Sequence, residues 1–192
     1  MSVPLNIPNL ITLFRIVIIP IFVLIFYIDG LAYRHIVLTA LFFLAGVSDW
    51  VDGYLARKLG QQSAFGAFLD PVADKLMVAT ALVLLVSANA ERSEALMALP
   101  AAVIIGREIA VSALREWMAS IGDATKVKVS YIGKLKTTAQ LLAIGFLLYE
   151  KNIGSFQPMI VGYILLYVAA ILTLWSMVLY LLAAWPSLVK PR

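Results

Sequence analysis

The chain has 192 residues, 62% of them hydrophobic and 14% charged, with a mean hydropathy of +0.95. A soluble domain is about 45–50% apolar and about 25% charged, so a water-soluble globule is excluded. The net charge of +4 is too small to suggest nucleic acid, and the absence of cysteine excludes disulfides, thiolate metal sites and cysteine nucleophiles.

At about 20–25 residues per crossing plus short loops, the length accommodates roughly six transmembrane helices in one domain over residues 1–192. The first is predicted to start near Pro8 and to run from Leu10 to Ile28, with a kink at Pro20 and a stop at Asp29-Gly30. No Lys or Arg precedes Arg15 and no small-residue cleavage site follows, so this stretch reads as a retained helix and not a cleaved leader. The apolar run from Ile36 to Val47 is only 12 residues, too short to cross alone. The second helix is therefore expected to continue through Ser48, Asp49, Trp50, Val51, Asp52 and Gly53 to about Lys58. The third is predicted from about Ala64, with Gly66, Asp70 and Asp74 ahead of the apolar stretch Leu76 to Val86. The fourth runs from Ala95 through Gly106-Arg107-Glu108 to about Met118, the fifth from Ile132 to Tyr149, and the sixth from Pro158 to Trp185. Glu91, Glu94 and Glu150 read as solvated loop charges.

Six crossings put both termini on one side. That side takes Arg15, Arg57, Lys58, Lys75, Arg107, Arg115, Lys126, Lys128, Lys134, Lys136, Lys190 and Arg192, against Arg34, Arg92 and Lys151 on the other. Basic residues flanking short loops stay in the cytoplasm, so the termini and the Asp-rich helix ends are expected there. Tyr27, Tyr33, Tyr149, Trp117 and Trp185 fall near predicted span ends, as an interfacial belt would, although aromatics are common throughout.

Four carboxylates at membrane depth need compensation, because each charge costs at least about 2.5–3.5 kcal/mol there. Asp49 and Asp52 are three apart and Asp70 and Asp74 four apart, so each pair shares a helix face. Gathered together they resist ionising unless cations lie between them. Hard divalent cations suit oxygen ligands, Mg²⁺ before zinc, since the lone His35 maps to the opposite face. Gly53 and Gly66 border the cluster, and a mid-helix glycine costs about 1 kcal/mol, so each accommodates either a ligand or a neighbouring helix. Arg57 brings either a bidentate phosphate donor or a snorkelling interfacial arginine.

Residues 49 to 74 spell D-x-x-D-G-x-x-A-R-x8-G-x-x-x-D-x-x-x-D, with Ala56 and Arg57 completing the set. This pattern resembles the signature of the CDP-alcohol phosphotransferase family, membrane enzymes that transfer a substituted phosphate from a CDP-linked donor to an alcohol and release CMP. Outer segments extend the similarity to the branch that forms phosphatidylglycerophosphate: Asn6 to Thr12 with Arg15, Gly106-Arg107-Glu108-Ile109 with Arg115, and Gly133 to Thr138 with Gln140. The resemblance implies an all-α integral membrane protein with a polar metal-containing cavity at the cytoplasmic interface of a bacterial inner membrane. It implies two divalent cations, Mg²⁺ or Mn²⁺, on Asp49, Asp52, Asp70 and Asp74, with Asp74 also the general base. It assigns Asn9, Thr12, Gly53, Ala56, Arg57 and Gly66 to CDP-diacylglycerol. The acceptor is then sn-glycerol 3-phosphate, for which Arg107, Arg115, Lys134 and Lys136 are the candidate phosphate ligands, positive-inside anchoring being their alternative role. Lys126 and Lys128 are assigned to loop and headgroup contacts, and a homodimer is expected. Glu108 and Glu116 each follow an arginine directly, so neither is expected to face its neighbour, and neither receives a role.

Two rivals follow from the same residues. Another acceptor, such as inositol phosphate, serine or phosphatidylglycerol, leaves the signature unchanged. A cation or proton transporter would use the aspartates as a relay, but such carboxylates lie near the midplane between repeats, and no repeat is visible here.

Overall fold

The computed structural model describes residues 6–60, 63–122 and 131–189, with side chains except at positions 56, 57, 64, 67, 90–95, 131 and 132. Among the described residues the regular structure is helical: α1 (Ile7–Tyr27), α2 (Arg34–Leu59), α3 (Ala64–Ala88), α4 (Ala90–Ser120), α5 (Tyr131–Tyr149) and α6 (Pro158–Leu188). Proline opens α1 and α6 in their first turn, where its missing N–H has no partner to lose. Beyond α1, Gly30 takes a φ of +82°, the left-handed turn expected of Asp29-Gly30.

Two boundaries differ from expectation. α4 begins at Ala90, five residues before the predicted Ala95, because only one residue separates it from α3. That residue, Asn89, is buried and its side chain donates to the Leu85 carbonyl at 2.8 Å, which closes α3 and turns the chain straight into the next helix. Glu91 and Glu94 therefore lie within a helix and not in a loop. α6 runs to Leu188, past the expected end at Trp185, with Pro186 inside it.

Five of the helices, α1, α2, α3, α4 and α6, are long and apolar enough to cross a membrane. α5 is the exception, since Lys134, Lys136, Thr137, Thr138 and Gln140 crowd its first half. The outward faces match a lipid solvent. On α1, Leu10, Phe14, Val17, Ile21 and Leu24 are exposed, while Asn9, Thr12 and Arg15 point inward and are buried. A soluble helix has the reverse pattern.

α1 packs on α2 and α3, and α6 on α4 and α5, and the two groups join through α2 against α5 and α3 against α4. The fully buried Phe22, Phe42, Leu82, Met97, Ile104, Ile144 and Leu166 fill the space between them. α5 and α6 approach closely through small residues: a Cβ on Gly162 would lie 2.8 Å from Leu147 Cγ and 3.2 Å from the Ala143 carbonyl oxygen.

Candidate active site

The polar stripe of α1 faces the acidic ends of α2 and α3. Arg15, 1% exposed, donates from Nη1 to Asp49 Oδ1 at 2.7 Å and from Nη2 to Asp52 Oδ2. The three-residue spacing of Asp49 and Asp52 puts both carboxylates on one face, where a single guanidinium spans them. The Thr12 hydroxyl lies 2.6 Å from Asp70 Oδ1, 3.3 Å from Asp52 Oδ2 and 3.1 Å from the Pro8 carbonyl. It has one proton to donate, and the short contact assigns it to Asp70. Ser63 caps α3 by accepting from the Gly66 N–H at 3.0 Å and donates in turn to Asn9 Oδ1 at 3.0 Å.

Gly66 is required by this junction, because a Cβ there would stand 2.5 Å from Asn9 Oδ1 and 3.2 Å from Ser63 Oγ. Gly66→Ala is expected to lower stability by about 1–3 kcal/mol, as overpacking does, despite the better helix propensity of alanine. Gly106→Ala, with nothing within 4 Å of the added carbon, is the control. Thermal unfolding in detergent compares the two, and equal midpoints would show that the Asn9 contact imposes no constraint.

On the other side of Asp49 opens a cavity of about 290 Å³ lined from four further elements: Asp74 and Lys75 of α3, Arg107, Glu108 and Arg115 of α4, Lys136, Thr137 and Gln140 of α5, and Tyr180 of α6. Asp74 is exposed to it. Its cations are held in place. Arg107 Nη2 donates to Ser176 Oγ at 3.0 Å and Arg115 Nη2 to the Tyr180 hydroxyl at 2.5 Å, with both guanidiniums over the Tyr180 ring at 5.5 and 5.0 Å. Lys136 pairs with Glu108 Oε1, which Arg107 Nη1 also reaches at 3.2 Å.

Asp49, Asp74, Arg107, Arg115 and Lys136 thus share one cavity, with Asp52 and Asp70 behind it on Arg15 and Thr12. Lys134 is exposed and off the lining, since residues two apart on a helix point in different directions. Gly53 is half-buried on α2. The side chains of Ala56 and Arg57, and the whole of Lys126 and Lys128, lie outside the described residues. The expectation that Glu108 does not face its neighbour is corrected, because both side chains are long enough to meet beside the helix.

Arg15, Glu108, Ser176 and Tyr180 belong to the site and have no role from the sequence alone. A lone arginine inside an apolar helix implies a buried partner, and that is the signal by which Arg15 could have been found. Among the described residues no three acids or histidines form a ready-made metal-ligating group. The donor set is nonetheless all oxygen, with Asp49 and Asp52 meeting at Arg15, Asp52 and Asp70 meeting at Thr12, and Asp74 lining the same cavity as Asp49, and its chemistry fits hard divalent cations.

The family profile described as CDP-alcohol phosphatidyltransferase matches residues 5–175. A protein of Haemophilus influenzae is 52% identical over 184 residues, 96% of each chain. One of Escherichia coli strain K12 is 50% identical over 184 residues, 96% of this chain and 97% of its own. One of Salmonella typhimurium is 50% identical over 179 residues, 93% of this chain and 94% of its own. All three bear the name CDP-diacylglycerol–glycerol-3-phosphate 3-phosphatidyltransferase.

Proposed function

The chain belongs to the CDP-alcohol phosphatidyltransferase family, and from that premise we propose that it transfers the phosphatidyl group of CDP-diacylglycerol to sn-glycerol 3-phosphate, releasing CMP. The observation that carries this reading is one cavity in which Asp49 and Asp74 face Arg107, Arg115 and Lys136. A phosphorylated acceptor needs cations for its phosphate and a base for its hydroxyl, and both are within the same space.

Arg107, Arg115 and Lys136 hold the acceptor phosphate, which carries about −1.5 to −2 charge at neutral pH. Tyr180 and Ser176 fix the two guanidiniums, so little ordering remains to be done on binding. Asp74 takes the proton of the terminal hydroxyl, whose oxygen attacks the β-phosphorus in line. The bond from that phosphorus to the bridging oxygen breaks, and the electron pair leaves with CMP. Asp49, Asp52, Asp70 and Asp74 would hold two divalent cations, Mg²⁺ first and Mn²⁺ second, supplying charge neutralisation to the diphosphate and to departing CMP. We assign Asn9, Thr12, Gly53, Ala56, Arg57 and Gly66 to the donor side, with Asn9, Thr12 and Gly66 supporting it from buried positions.

We extend the reading to six crossings, with α5 shielded by its neighbours, both termini and the cavity on the cytoplasmic side of a bacterial inner membrane, and a homodimeric assembly. The basic residues gathered on the cavity side support this orientation.

An acceptor competition tests the assignment. Purified protein with CDP-diacylglycerol and Mg²⁺ is expected to form a lipid phosphomonoester from sn-glycerol 3-phosphate in the presence of equimolar serine, inositol phosphate or phosphatidylglycerol. A product built from one of the competitors would keep the aspartates and overturn the acceptor.

A further inference from the structure

Glu108 sits where a phosphate-binding pocket should not want a carboxylate. It lines the cavity that holds Asp74, with its side chain 24% exposed, beside Arg107 on α4 and across from Lys136 on α5. A negative charge there repels an incoming phosphate and competes for its cations. Both cations reach the same atom, Oε1, so among the described residues Oε2 has no partner.

Resting on the reading of this cavity as the acceptor site, we propose that Glu108 sets acceptor specificity by accepting a hydrogen bond from the secondary hydroxyl of a phosphorylated polyol. Three chemical groups on a glycerol phosphate need three partners. The phosphate takes the cations and the terminal hydroxyl takes Asp74, which leaves the middle hydroxyl. A carboxylate is the strongest acceptor a side chain offers to a hydroxyl, about twice as strong as a neutral one. Lys136 and Arg107 hold Oε1 and so orient the free Oε2, while Arg107, Arg115 and Lys136 together with Glu108 keep a net charge of +2 for a dianionic phosphate. A pocket built to bond a hydroxyl discriminates against the analogue lacking it, because its own polar atom is then left unpaired.

The test compares sn-glycerol 3-phosphate with 3-hydroxypropyl phosphate, which keeps the phosphate and terminal hydroxyl and lacks the secondary one. The native protein is expected to favour glycerol 3-phosphate in kcat/KM by about 10- to 100-fold, and Glu108→Gln to shrink that ratio about tenfold. Equal use of both acceptors by the native protein overturns the proposal. So does an unchanged ratio in Glu108→Gln with both acceptors slowed together, the signature of a residue that only positions Lys136 and Arg107. If Glu108→Gln is inactive with both, Glu108→Asp carries the comparison: it keeps the charge between the two cations and withdraws the oxygen, and an unchanged ratio there is equally fatal. Failure of the native protein to use either phosphate would instead overturn the acceptor reading beneath the proposal.

Discussion

Asp74→Asn is expected to slow CMP release by about 10²- to 10⁴-fold, the range a positioned general base contributes, while CDP-diacylglycerol binding remains measurable. The amide matches the carboxylate in shape but cannot take the proton of the acceptor hydroxyl. Asp74 is exposed on the cavity wall, so the exchange requires no repacking of the bundle. Stopped turnover with retained donor binding separates a chemical defect from a folding defect. Turnover near the native rate would remove Asp74 as the base and leave it at most a charge beside Asp49.

The second large effect concerns Arg15. It is 1% exposed, bonded to Asp49 and to Asp52, and Asp52 is itself 2% exposed. Removing one partner of a buried ion pair costs about 3–5 kcal/mol, because the remaining charge stays buried without compensation. Arg15→Met is therefore expected to lower the unfolding midpoint in detergent by about 6–20 °C for a chain of this size. Adding Asp52→Asn to that variant removes the orphaned charge and is expected to recover part of the loss. A single variant as stable as the native protein would mean that water or another cation reaches the aspartates freely.

The contrast between these two residues explains what was legible in the sequence. Asp49, Asp52, Asp70 and Asp74 stood out because spacings of three and four residues bring side chains to one helix face, a local property. Arg15 and Thr12 join them across 34 to 58 residues of chain, and no local periodicity encodes that. Tyr180 and Ser176 were the least visible. They lie on α6, which reads as an uninterrupted apolar span, yet they anchor Arg115 and Arg107 from 65 and 69 residues away.

The helices followed the same division. Hydropathy gave all six their approximate extent, because the lipid-facing residues are apolar whatever their partners. It misjudged the start of α4, where a polar first turn precedes the apolar run, and it did not mark α5 as less apolar than the other five helices. The polar half of α5 faces the cavity through Lys136, Thr137 and Gln140, so its low hydropathy is the mark of the site itself. Lys134, two residues from Lys136, shows the limit of assigning a basic cluster as a set when the helix turns its members apart.

The central claim is tested most directly by CMP release from purified protein given CDP-diacylglycerol, with and without Mg²⁺ and with and without sn-glycerol 3-phosphate. Release that requires both, with phosphatidylglycerophosphate as the lipid product, is the predicted result. Release that persists without the acceptor would contradict transfer to glycerol 3-phosphate while keeping the aspartates catalytic, and no release with any alcohol would contradict the account and return the aspartates to the reading of an ion pathway.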